Sequence, residues 1–213
     1  MYIQSGRSMV EMLGGLAIIG VLSVGAISGY SKAMMKYKLN KQAEQLNTVF
    51  NAVDRNLHSF NNINAEAGHA INLTSYFIKM GEFPTEMVKK DSSRYIYDAF
   101  NTQIRVDKEH YAYPDRTVTI YAIYMYPALS TISADNIAIC QNIIAVAKEH
   151  ADTLFSLQTY SANDSGNIRA FYYGDKDCNA DNCIRNLSLN KIYELCTKHK
   201  GNTETGFTMQ WHV

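Results

Sequence analysis

The chain has 213 residues, enough for one domain with a sizeable core plus an anchoring segment. Its 20 Lys and Arg balance 20 Asp and Glu, so no global basic field draws it to nucleic acid. The histidines (His58, His69, His110, His150, His199, His212) form no metalloprotease pair, and no nucleophile motif or phosphate-cradling glycine loop is present. The expectation is a protein that is not an enzyme and carries no cofactor.

The chain opens with Gly6-Arg7-Ser8-Met9-Val10-Glu11 and runs straight into an apolar segment. From Met12 to Ser31 no residue carries a charge. About twenty helical residues at ~1.5 Å each span ~30 Å, the thickness of a bilayer's hydrocarbon core. A carboxylate deep in lipid costs on the order of 3 kcal/mol, so Glu11 at the mouth of such a span calls for a partner.

These residues resemble the processing site of the type IV pilin superfamily, which includes true pilins and the pseudopilins of type II secretion. The shared pattern is a glycine, one residue, a small-apolar-apolar-glutamate run, then a hydrophobic helix. The resemblance implies that a membrane peptidase cuts after Gly6 and methylates the new N-terminus at Arg7. It implies that Glu11, fifth in the mature chain, pairs with the N-terminal amine of a neighbouring subunit during assembly. Residues 1–6 are then a leader, 7–31 the transmembrane and polymerisation half of a long helix, 32–60 its amphipathic half, and 61–213 a globular α/β head. Arg7 stands where the family usually has an apolar or aromatic residue. Lys32, Lys36, Lys38 and Lys41 follow the span, and charge counting alone would turn that side inward. The resemblance implies the opposite orientation, with the head in the periplasm.

Two other readings compete. Leu13 to Ile27 could be the h-region of a secretory signal peptide, with Val24-Gly25-Ala26 as a small-residue cleavage site, although Glu11 interrupts the usual transition. The segment could also be an uncleaved single-pass anchor.

The helical pattern continues past the span. Tyr30, Met34, Tyr37, Leu46, Val49, Phe50, Val53, Leu57 and Phe60 recur at three- and four-residue spacing, with polar residues between them. One helix from about Ser8 to Phe60 is expected. Gly25 and Gly29 form a GxxxG pair that permits close helix packing in lipid. A second short helix is expected around Ala65 to Met80, on Ile71, Leu73, Phe77 and Ile78, broken by Gly81 to Pro84. Strands follow at Thr102–Asp107 and Arg116–Met125, the second alternating with Val118, Ile120, Ala122 and Tyr124 on one face. Ser133 is a candidate N-cap for a helix reaching about Phe155, with Ile137, Cys140, Ile143, Ile144, Ala147 and Ala151 on its buried face. Ile168–Tyr173 reads as a strand, Leu187–Lys198 as a short helix and Gly206–Val213 as a closing strand. The order predicts an α+β fold, an antiparallel sheet packed on a helical spine. The Asp98-to-Thr102 approach and the Ser133-to-Cys140 helix start resemble type IVb pilins, including the plasmid-transfer kind.

Cys140, Cys178, Cys183 and Cys196 are even in number, which in an exported domain reads as disulfides. Four cysteines allow three pairings. Type IVb pilins bridge an equivalent helix to the C-terminal region, so the resemblance implies Cys140–Cys196, leaving Cys178 and Cys183 to close a small loop. The pairing Cys140–Cys183 with Cys178–Cys196 stays open. The long bridge would stabilise the head by roughly 3–4 kcal/mol. Asp175, Asp177, Asn179 and Asp181 place oxygens at every second position, the start of a calcium-loop pattern. Ala180 and Asn186 stand where that pattern needs glycine and glutamate, so a solvated, disulfide-closed loop is favoured over a metal site.

The resemblance implies a structural subunit of a type IV-like pilus on a diderm bacterium. It would start in the inner membrane and end in an extracellular filament or a periplasmic pseudopilus. Its implied partners are copies of itself, a prepilin peptidase and methylase, and the assembly machinery. A type II secretion pseudopilin is the alternative within the superfamily. An exported enzyme or binding module is the alternative outside it.

Overall fold

The computed structural model describes residues 9–60, 63, 69–112, 117–127, 129, 132–163, 166–197 and 205–212. The chain divides into two units, residues 1–38 and 39–213. The first contains most of a 48-residue helix, α1, Met9–Asn56. The second contains the end of α1 and an α+β head.

In the first unit the apolar side chains of α1 from Met12 to Tyr30 lie uncovered. Leu13, Leu16, Ile18, Ile19, Leu22 and Ile27 are all exposed. Tyr30 and Tyr37, which the sequence pattern assigns to the apolar stripe, are exposed as well.

The stripe is buried only from the end of α1 onward, where Leu46, Val49, Phe50, Ala52 and Val53 are at most 1% exposed. Such side chains contribute about 1.5–3 kcal/mol each when fully buried. The helix ends at Asn56, short of Phe60; Asn56 turns its amide back onto the Ala52 carbonyl (2.9 Å) and the next four residues form turns.

The head's remaining elements are β1 Ala70–Asn72, α2 Thr74–Lys79, β2 Ile96–Tyr97, β3 Gln103–Ala112, β4 Thr117–Tyr126, α3 Ala134–Glu149, β5 Ser156–Asn163, β6 Gly166–Tyr173, α4 Leu189–Thr197 and β7 Thr205–His212. The described strands form one antiparallel sheet in the order β1-β3-β4-β7-β5-β6, with β2 also on β3. β7, last in sequence, lies between β4 and β5.

Residues paired directly across antiparallel strands share a face. One face carries Val106, Ile123, Met209 and Leu157 in a row, with Ile104, Met125 and Phe207 beside it, all buried. Trp211, on this face, packs edge-on against Phe50 of α1 at 5.5 Å. The alternation expected in β4 is present, but the face turned to α1 carries Tyr121, Ile123 and Met125.

Three expectations are corrected. The helix expected at 65–80 is reduced to Thr74–Lys79, because Ala70–Asn72 pairs with Asp107–Glu109 and the Leu73 amide donates to the Val106 carbonyl at 2.8 Å. Residues 65–68 of that expected helix lie outside the described residues. The helix opened by Ser133 stops at Glu149, short of Phe155, because the Ala151 and Phe155 carbonyls accept from the Asp175 and Gly174 amides at 2.7 and 2.9 Å. That approach requires Gly174: a Cβ there would stand 1.7 Å from the Leu154 carbonyl oxygen. Finally, β5 occupies Ser156–Asn163, where the sequence pattern gives no strand.

Candidate functional site

The apolar N-terminal segment is the first candidate. Gly6 and Arg7 lie outside the described residues. Glu11 is exposed in the first turn of α1, where a carboxylate also meets the positive end of the helix dipole. Among the described residues, this is one helix long and apolar enough to cross a membrane. Its most apolar 18-residue window has a mean hydropathy of 2.0, and none of that window is buried. At Gly14, Gly15, Gly20, Gly25 and Gly29 nothing lies within 4 Å of where a Cβ would stand. The chain itself makes no use of their small size.

The end of α1 is fixed to the head by two polar clusters. In the first, Asp98 Oδ1 accepts from the Phe100 and Thr102 amides at 2.9 and 2.8 Å, which shapes the turn into β3. Its Oδ2 accepts from Gln42 Nε2 at 2.6 Å. Gln42 Oε1 in turn accepts from Asn142 of α3 at 2.9 Å, and Gln45 Oε1 accepts from the Ala99 amide at 2.8 Å. Asn101 in this turn has φ 66°, a left-handed conformation that asparagine tolerates. In the second cluster Trp211 Nε1 donates to Asp54 Oδ1 at 2.7 Å, and His150 bridges Asn47 (2.7 Å) and Asp54 (3.7 Å).

At the far end Lys108 is buried on the core face and donates to the Phe60 and Ile63 carbonyls at 2.8 and 3.0 Å, while burial pulls its ammonium below the usual lysine range. Beside it burial raises the Tyr121 phenol.

The cysteines form two bridges. Cys140 of α3 is joined to Cys196 of α4, and Cys178 to Cys183 within the loop after β6. The oxygens of that loop diverge. Asp175 is held by Arg185 at 2.6 and 2.8 Å, and Asp177 faces His212 at 3.3 Å. The Asn179 amide donates to Asn182 at 2.8 Å, and Asp181 is exposed. Among the described residues no group of three His, Cys, Asp or Glu gathers here or elsewhere as a metal site.

The sheet face turned away from α1 carries a second candidate, which no sequence motif marks. Asp107 and Glu109 are buried there. Burial outweighs the nearby Arg105 (2.7 Å) and holds the Asp107 carboxyl above its usual range. Glu109 accepts from the Tyr124 hydroxyl, and the Arg105 guanidinium lies 4.8 Å from the Tyr124 ring. The Tyr124 and Tyr126 rings lie parallel, 7° apart in plane, and burial raises the Tyr126 phenol. Across β7, Arg169 of β6 lies 5.5 Å from the Tyr160 ring of β5. Between these tyrosines is a groove of about 300 Å³ whose floor includes Gly206, Thr208 and Gln210. The abundance of tyrosine (15 residues) was the one compositional trace of it.

Searches against known protein families, curated proteins and solved structures found no match to this chain. The arrangement itself defines an α+β protein with a long apolar N-terminal helix and a disulfide-bridged head.

Proposed function

We propose that the chain is a pilin-like structural subunit, made as a single-pass inner-membrane precursor and polymerised through α1. The observation that carries this reading is the uncovered apolar half of α1 with Glu11 at its start. Such a surface is stable in lipid, or among equivalent helices that exchange lipid for each other. The uncrowded glycines support the second environment, because their benefit lies only in contact with another helix. Cleavage after Gly6 by a prepilin peptidase frees the α-amine of Arg7. Glu11 of an adjacent subunit neutralises that amine and fixes axial register as the filament grows outward from the assembly machinery. The disulfides fit a head that faces an oxidising compartment.

The test is Glu11→Ala. Head folding and membrane insertion should be unchanged while filaments in a sheared surface fraction disappear. Normal filament yield from this variant refutes the reading. The same fraction separates a surface pilus from a pseudopilus, which leaves no long fibre to shear.

A further inference from the structure

We propose that the basic collar just past the apolar span of α1, centred on Lys32 and Lys36, binds the anionic headgroups of phospholipids and holds the subunit at the membrane surface before it assembles. The inference rests on the reading of α1 as a membrane-spanning helix and is separate from the role of Glu11.

The charge pattern is one-sided. From Met12 to Ala43 the chain has no Asp or Glu, yet it carries Lys32, Lys36, Lys38 and Lys41. Lys41 is matched by Glu44 at 3.3 Å and by Glu86 at 3.1 Å. Lys38 also has an interaction within the chain. Lys32 and Lys36 are exposed and have neither hydrogen bond nor ion pair among the described residues. They lie one turn apart on the same side of an unbroken helix, where like charges repel. A counter-charge from outside the chain turns that repulsion into attraction.

The span fixes where the counter-charge lies. The uncharged segment ends at Ser31, after about 30 Å of helix, one hydrocarbon thickness. Lys32 and Lys36 then rise about 1.5 and 7.5 Å beyond it. The headgroup layer on each side of a bilayer is about 5–7 Å deep, so both ammonium groups reach the phosphates, with long side chains that adjust their depth. Tyr30 and Tyr37 flank this level and are 68% and 62% exposed. Seven residues apart, they share another side of the helix from the lysines. Exposed tyrosines suit this boundary, with the ring toward the tails and the hydroxyl toward water. A zwitterionic headgroup offers the same phosphate but offsets it with its own cation. An unneutralised lysine pair therefore discriminates in favour of lipids with net negative charge.

The experiment is native mass spectrometry of the full chain in a neutral detergent. The probes are dioleoylphosphatidylglycerol and dioleoylphosphatidylcholine in equimolar amounts. Phosphatidylglycerol adducts should exceed phosphatidylcholine adducts by about fivefold, and Lys32→Gln with Lys36→Gln should bring the two to parity. Lys32→Arg with Lys36→Arg should keep the preference. Lys90→Gln with Lys176→Gln, which removes two exposed charges from the head, should keep it too. Equal adducts in the parent, or a preference undiminished in Lys32→Gln with Lys36→Gln, overturns the proposal. An equal loss in the head pair also overturns it, because selectivity would then follow net charge alone. Alkaline extraction of membranes holding the parent tests the premise separately. Release into the soluble fraction refutes the spanning helix and this proposal with it, whereas a retained chain without lipid preference refutes this proposal alone. A glutamine pair that keeps the preference but loses self-association would assign the two lysines to contact between copies.

Discussion

The two parts of α1 share one backbone geometry and face opposite environments. Before residue 39 its leucines and isoleucines are exposed; from Leu46 to Val53 the apolar positions are at most 1% exposed. From Met12 to Ser31 the helix is apolar on every side, and its end is apolar on one stripe with Lys41, Glu44, Asn47 and Arg55 between. All-round hydrophobicity needs a surrounding apolar medium, whereas a stripe needs only one packed layer. Helical structure in the first part therefore depends on what surrounds it, and in the second on the sheet.

The sharpest way to break this contrast is a pair of truncations. Phe50→Ala should destabilise the head by about 3–5 kcal/mol, since the ring is fully buried against Trp211 and His150. Leu16→Ala should leave head stability within about 0.5 kcal/mol. Urea unfolding of the full chain in detergent, read through the single buried tryptophan, measures both. Equal effects would mean that the two parts share one stabilising environment.

Removing the bridges sharpens it within the head. Cys140→Ala with Cys196→Ala should cost about 2–4 kcal/mol, because the bridge closes a loop of sequence separation 56. The Cys178–Cys183 bridge closes a separation of only 5, and its removal should cost less. The reverse order would place the larger contribution in the small loop and contradict the entropic argument.

The smallest effect concerns pH. Burial raises the Asp107 carboxyl above its ordinary value of 3.8. The native state then binds more protons than the unfolded chain just above that pH, so stability falls as pH rises through the window. Asp107→Asn removes this slope. Its unfolding midpoint relative to the parent should therefore improve from pH 3.8 toward neutrality. A difference that stays constant with pH would show that Asp107 titrates alike in both states.

The helical elements with long apolar periodicity were legible in the sequence. α1 and the closing strand around Trp211 fall within a few residues of their expected limits, and α3 starts where expected but stops at Glu149, short of Phe155. The α+β class followed from element order, which the sheet and its helices match. β5 was not legible because its sequence, Ser-Leu-Gln-Thr-Tyr-Ser-Ala-Asn, is mostly polar. Its place is set by hydrogen bonds to β6 and β7, to which sequence periodicity is blind. β1 was misread because Ile71 with Ile78 and Leu73 with Phe77 fit a helical spacing, and pairing with β3 overrides that local preference. Glu11 was conspicuous because a charge beside an apolar run is costly wherever it occurs. The tyrosine groove was hidden because Tyr124, Tyr160, Arg105 and Arg169 come from four strands and meet only through strand order.

The place of β7 has a consequence in time. A ribosome delivers Thr205–His212 after every other described strand, yet these residues complete the middle of the sheet. Until they arrive, the β3–β4 and β5–β6 hairpins have no ladder between them, and two inner edges stand open. An unfinished chain is thus a pair of separate hairpins, exposed to aggregation and accessible to chaperones, and the head closes as a unit only when its last strand slides into the gap.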